Sequence, residues 1–154
     1  MENHGVLWEF VHNKVVITTF VGWFAAQVAK VIRGVWVEKK FNFKWLIGTG
    51  GMPSSHAAGV VALTTGVGLY EGVHTALFAV TLMFTIIVIC DAQGVRLATG
   101  KQAEILNTIM EDIYWKKRIQ EEKLKELIGH TPIEVIIGIL IGLVVAFGLY
   151  LLLG

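Results

Sequence analysis

The fold turns on the stretch GGMPSSHAAGVVALTTGVGLYEGVHTALFAVTLMFTIIVIC, Gly50 to Cys90, where two apolar runs of different character meet across one tight turn. The first, Ser55 to Tyr70, is short and rich in glycine, alanine and threonine, residues that let helices approach closely within lipid. Glu71-Gly72 punctuates the chain, and Val73 to Cys90 is an apolar run of near-spanning length. Together they predict a helical hairpin inside a membrane.

Upstream, Val15 to Val37 is apolar for the length a spanning helix needs, interrupted by Lys30 and Arg33. A cation near a helix end can snorkel to the interface, which accounts for Arg33; Lys30 lies deeper, where snorkelling and a functional role are both open. Downstream the chain is polar from Asp91 to about Gly129, first as a glycine-punctuated loop and then as an amphipathic helix. Its apolar stripe, Ile105, Ile109, Ile113, Leu124, Leu127 and Ile128, suits the membrane surface or the other helices. Glu104, Asn107 and Glu111 share one face at helical spacing and read as a solvated surface rather than as metal ligands. Ile133 to Leu153 is again long enough to span.

Composition agrees with this layout. Of 154 residues, 55% are hydrophobic and 16% charged, and the mean hydropathy of +0.65 is too high for a soluble domain of this size. The expectation is one membrane-embedded domain over residues 1–154: an all-α integral membrane helical bundle of about four spanning helices, with one amphipathic helix on the cytoplasmic side. A formal charge of +1 with no basic stripe argues against a nucleic-acid partner. The lone Cys90 cannot form an internal disulfide. Met1-Glu2-Asn3-His4 lacks the basic region of a secretory signal, so the first apolar segment is expected to stay in the mature protein. Four spans make a thin bundle, and a homodimer fits such a chain.

This order of spans puts the loop before His56 and the polar segment Asp91 to His130 on one side of the membrane. Ten lysines and arginines between Lys39 and Lys125 fall there, against Lys14 opposite, so the positive-inside rule makes that face cytoplasmic, in a cell or an organelle membrane.

The residues suited to chemistry gather on the same face. In Pro53-Ser54-Ser55-His56, proline suits the start of a helix, serine caps one, and the free first-turn N–H groups point at whatever anion sits there. A phosphate would meet the Ser54 and Ser55 hydroxyls and the positive helix end, while His56 protonates a leaving oxygen. The plainer alternative is a helix-end histidine bonded to a carbonyl or to water. After the third run, Arg96 could grip phosphate as a fork and Lys101 as a point charge, or both could be interface anchors, with Asp91 orienting Arg96. In His130-Thr131-Pro132-Ile133-Glu134, Thr131 and Glu134 form a capping box with Pro132 at the first helical position. Capping does not account for His130. Glu134 could instead accept a bond from that imidazole and hold its tautomer, leaving His130 a nucleophile toward phosphorus. His4, His12 and His74 lack such neighbours and read as surface residues.

Pro53-Ser54-Ser55-His56, the later arginine, and His130 with Glu134 four positions on resemble the type 2 phosphatidic acid phosphatase superfamily, whose patterns are KxxxxxxRP, PSGH and SRxxxxxHxxxD. The likeness is greatest to its divergent, acid phosphatase/vanadium-dependent haloperoxidase-related branch and extends over nearly the whole chain. It implies that His56 is the acid, His130 the nucleophile that becomes a phosphohistidine, and Glu134 its orienting carboxylate. Ser54, Ser55 and Arg96 would bind phosphate, and Lys30 would be the first-motif lysine. The chain departs from the pattern where Lys30 lacks an arginine-proline partner, Ser55 stands for glycine, Glu134 stands for aspartate, and a long helical insert separates Arg96 from His130.

The resemblance implies a metal-independent, cofactor-free hydrolase of a phosphomonoester or diphosphate. Burial in a bilayer favours a lipid substrate, such as phosphatidylglycerol phosphate, phosphatidic acid or a prenyl diphosphate. The competing reading is a non-catalytic lipid-phosphate-binding protein or small transporter subunit, in which the same cations hold the headgroup without cleaving it.

Overall fold

A computed structural model describes residues 5–39, 51–94 and 131–153, together with positions 102, 105–107 and 109–110. Among the described residues every regular element is helical. The frame is α1 (Val6–His12), α2 (Lys14–Glu38), α3 (Ser55–Tyr70), α4 (Ala76–Gln93) and α5 (Pro132–Leu153), with further helical positions between 102 and 110.

Short polar side chains set the boundaries. Asn13 divides α1 from α2 by accepting from the N–H groups of Val15 and Val16 at 2.9 and 3.1 Å. The sequence reading contains no counterpart of α1, a seven-residue helix with Leu7, Phe10 and Val11 exposed. Thr75 caps α4 by accepting from Phe78 N at 3.2 Å, so this helix begins after the Thr75 hydroxyl rather than at Val73. It also runs three residues past Cys90, placing Asp91 in its last turn rather than in a loop.

Contacts along the helices fix their directions. Trp23 of α2 lies 3.3 Å from where a Cβ on Gly59 of α3 would stand, and the Lys30 stem lies 4.0 Å from the same point on Gly51, so α2 and α3 are antiparallel. Hydroxyls clamp α4 antiparallel to α3: Thr64 Oγ1 donates to Thr81 O at 2.9 Å, Thr85 Oγ1 donates to Val60 O at 2.9 Å, and the two hydroxyls meet at 2.7 Å. Parallel to α3 runs α5, joined at one end by Ser54 N donating to Glu134 O at 3.0 Å and at the other by the Tyr70 and Tyr150 rings, edge-on at 5.3 Å. Lys14 Nζ donates to Leu153 O and ties α2 to the far end of α5.

Among the described residues the chain therefore passes through the bundle four times, with α3 at the centre. Three passes, Lys14–Val37, Ala76–Gln93 and Pro132–Leu153, are long and apolar enough to cross a membrane by themselves. The expectation of four such spans is corrected at Ser55–Tyr70. At 16 residues α3 measures about 24 Å, short of the roughly 30 Å hydrocarbon core.

Packing inverts the pattern of a soluble domain. Ala26, Ala57, Ala58, Ala62 and Ala146 are buried, whereas Phe20, Ile32, Val80, Val144 and Leu151 face outward. Small residues repeat every four positions along the seams, as Thr18-Gly22-Ala26 on α2, Ala58-Ala62-Gly66 on α3 and Gly138-Gly142-Ala146 on α5. A Cβ on Gly142 would stand 2.6 Å from the Ala58 carbonyl oxygen, so the absence of a side chain sets the helix spacing. Lipid supplies the solvent for the large outer side chains, and close backbone approach supplies the cohesion. These are the features of an integral membrane protein.

Candidate active site

The end of the bundle where α3 and α5 begin assembles the chemically capable residues. Ser54 is the N-cap of α3, its Oγ accepting from Ala57 N at 3.3 Å, while its own N–H donates to Glu134 O. With no exposed surface and its oxygen engaged in the cap, Ser54 offers a ligand only its O–H. Ser55 and His56 occupy the first turn, where backbone N–H groups have no partner within the helix. Ser55 is buried and His56 half-buried, with its Nδ1 shielded from solvent. Gly51 precedes them at φ 83°, a left-handed conformation that costs glycine nothing and brings the loop over the Lys30 stem.

Lys30 continues the small-residue stripe of α2, Thr18-Gly22-Ala26, one turn further. That position explains its burial, since the face it shares is pressed against α3. Glu134 of α5 lies within Coulombic reach of it. Arg33, by contrast, is exposed, as an interface anchor would be.

The capping box of α5 forms in both directions. Thr131 N donates to Glu134 Oε2 at 3.1 Å, and Glu134 N donates to Thr131 Oγ1 at 3.4 Å, with Pro132 as the first helical residue. One Glu134 oxygen thus serves the helix end while the same carboxylate lies within Coulombic reach of Lys30. Below these residues Ala57, Ala92 and Val135 close an apolar floor with Ile89 and Ile139, bringing the end of α4 to the same level.

The structure therefore gathers Lys30, Ser54, Ser55, His56 and Glu134. His130, Arg96 and Lys101 lie outside the described residues, as do Glu104 and Glu111. Asn107 corrects the reading of a solvated polar face: it is 8% exposed, whereas Ile105, Leu106 and Ile109 point outward. Its polar side turns inward because the apolar side is the one a membrane accommodates. Gln27, buried one turn before Lys30, was missed altogether, although a carboxamide inside a spanning segment is a recognisable signal.

Residues 11–145 match the model of the Divergent PAP2 family. The chain belongs to that family. Among its relatives, a Bacillus subtilis (strain 168) protein named "Uncharacterized membrane protein YuiD" is 40% identical over 154 aligned residues, covering 90% of this chain and 98% of the relative. No solved structure matches. Membership in the divergent PAP2 family leaves the reaction to be argued from the site.

Proposed function

We propose that this divergent PAP2 protein is a lipid-phosphate phosphatase working through a histidine nucleophile. The observation that carries this reading is the meeting of Lys30, the α3 start at Ser54–His56 and the α5 start at Glu134 at one end of a membrane bundle. Three sequence segments far apart in the chain have no packing need to bring a buried cation, an imidazole and a carboxylate together there.

In the proposed reaction, Lys30, the first-turn N–H groups of α3 and the Ser55 hydroxyl hold the phosphate, with Arg96 and Lys101 as further cations. A ring nitrogen of His130 attacks phosphorus. The bond to the lipid oxygen breaks, and His56 gives that oxygen its proton. Water then cleaves the phosphohistidine, releasing inorganic phosphate and restoring the imidazole. Glu134 holds the site in register through its capping bonds and its charge. The chemistry needs no metal, and the substrate is a phosphomonoester or diphosphate whose tail stays in the bilayer. The excess of Lys and Arg on this side supports a cytoplasmic orientation and a topology in which α3 completes a fourth crossing.

Phosphate release from a panel of glycerolipid and prenyl phosphates, by purified protein in detergent with chelator, tests the proposal. Wild-type turnover is expected, abolished in His130→Ala and lowered by about 100-fold or more in His56→Asn, with lipid binding retained in both. Turnover that survives His130→Ala removes the nucleophile assignment. Silence from folded wild-type protein across the panel favours headgroup binding without cleavage.

A further inference from the structure

The end of the bundle opposite the candidate active site carries the marks of a membrane interface. There Lys14 Nζ donates to Leu153 O, so α2 begins at the level where α5 ends. A helix start and a helix end both present backbone groups without partners in their own helix, and hydrocarbon cannot satisfy them. Lys14 also lies over the Tyr70 ring, 5.5 Å from its centre, and Tyr70 in turn meets Tyr150. Tyrosines and a lysine at a helix end are side chains that settle at the headgroup level. The boundary of the hydrocarbon therefore runs past Lys14.

One residue earlier, Asn13 ends α1 in an extended conformation, φ −70° and ψ 110°, and redirects the chain. Helix α1 buries none of its residues against the bundle. At about 100° per residue, Val6, Phe10, Leu7 and Val11 fall within one arc of about 140°. Glu9 and His12 fall on the other side with Trp8. That side is braced by His12, whose ring stacks on Trp8 at 4.1 Å and whose Nδ1 donates to Trp8 O at 2.8 Å.

Standing along the bundle axis, α1 would lift its apolar arc about 10 Å into water. Lying flat at the boundary, it immerses the arc and leaves Glu9 and His12 among the headgroups. Val6 and Leu7 are each 81% exposed, so the bundle leaves them to the surrounding medium. Four apolar side chains on two turns of helix fall well short of the roughly 1,000 Å² that a stable interface between two copies needs. The helix contains one acidic residue, Glu9, and no lysine or arginine, so it has no cation to draw it to anionic lipid.

We infer that α1 is an interfacial anchor whose Val6, Leu7, Phe10 and Val11 dock on lipid in the leaflet opposite the candidate active site, held by apolar burial and not by attraction to anionic headgroups. The inference is independent of the phosphatase reading.

The test uses the full chain in phosphatidylcholine vesicles, with and without phosphatidylglycerol. In a Cys90→Ala background, which removes the single native thiol, a nitroxide is attached at Phe10→Cys, Val11→Cys or Glu9→Cys. Collision with oxygen, which concentrates in hydrocarbon, is compared with collision with a water-soluble nickel chelate. Labels at Phe10→Cys and Val11→Cys are expected to favour oxygen and to lie about 5–10 Å into the headgroup–acyl boundary. The label at Glu9→Cys should favour the chelate, and phosphatidylglycerol should shift none of the three. Because Phe10→Cys deletes part of the arc it reports on, Val11→Cys serves as the second reporter. Equal access of the chelate to all three positions places α1 in water and overturns the inference, as does insertion that occurs only with phosphatidylglycerol. Dipolar broadening at Phe10→Cys and Val11→Cys that disappears on dilution with unlabelled protein assigns the arc to a second copy and overturns it as well.

Discussion

Gly142→Ala adds one methyl group to the seam between α5 and α3, and the structure fixes what it meets. The new Cβ would lie 2.6 Å from Ala58 O, 3.0 Å from Val61 Cβ and 3.2 Å from Ala62 N. Two of these are backbone atoms of the central helix and cannot rotate away. Ordinary contact begins at 3.4 Å, so lengthening the shortest contact from 2.6 Å opens the seam by 0.8 Å. Overpacking of this kind costs about 1–3 kcal/mol, offset by up to about 1 kcal/mol from the higher helix propensity of alanine. The net expectation is a loss of about 1–2 kcal/mol. Gly148→Ala is the matched control on the same helix, because a Cβ there meets nothing within 4 Å. It should leave stability unchanged or raise it by up to about 1 kcal/mol. Reversible unfolding in mixed micelles, followed by circular dichroism, measures both. Equal effects of the two substitutions, or a Gly142→Ala protein as stable as wild type, would refute seam control by backbone contact. Because the same seam carries the Ser54–Glu134 bond, phosphate release should fall in Gly142→Ala and persist in Gly148→Ala.

Three further outcomes follow from the polar contacts. Thr85→Val removes the bonds to Val60 O and the Thr64 hydroxyl and should cost roughly 0.6–1.7 kcal/mol in the same unfolding assay; Thr19→Val, which loses only a bond to Val15 O in its own helix, should cost less. Thr131→Ala removes the acceptor for Glu134 N and should destabilise by about 1 kcal/mol. Glu134→Gln keeps an acceptor for Thr131 N yet removes the charge that favours buried cationic Lys30, so stability should fall and kcat with it; full activity in Glu134→Gln would leave Glu134 with a structural role alone. Lys30→Met should fold at least as well as wild type, since it deletes a desolvated charge, while phosphonate affinity measured by calorimetry falls by about tenfold or more; undiminished affinity would take Lys30 out of the phosphate site.

The helices were legible because their signals are local. Glu71-Gly72 ends α3, Thr131 to Glu134 starts α5, and the residues needed for both are adjacent in the chain. The start of α4 was misplaced because Val73 continues the apolar pattern, whereas the cap depends on the Thr75 hydroxyl finding Phe78 N. Lys30 was ambiguous in one dimension. Its role as an inward residue depends on sharing the Thr18-Gly22-Ala26 face, a four-residue period that becomes decisive only once α3 is known to lie against it. Gln27 was harder still, because its burial depends on which face of α2 is pressed against the neighbouring helices. The inward turn of Asn107 likewise has no local signal, since a polar stripe looks the same facing water or protein.

The short length of α3 and the position of the candidate site are one structural fact. From Lys30, α2 continues eight residues to Glu38, about 12 Å further, while α3 starts near the level of Lys30. A helix N-terminus, with its unpaired N–H groups and positive dipole end, ordinarily sits at a rim where water satisfies it. Here it lies below the end of α2, and α2, α4 and α5 shelter a helix that could not satisfy the length of a bilayer alone. On the proposed reading, a lipid phosphate would reach the same depth by moving laterally within its leaflet, with its tail already in hydrocarbon, and would need to shed only the hydration of its headgroup. Extending α3 by two turns would raise its first-turn N–H groups by about 11 Å, nearly to the level of the α2 end. It would make a better spanning helix and remove the depth on which the proposed lipid-phosphate reading relies.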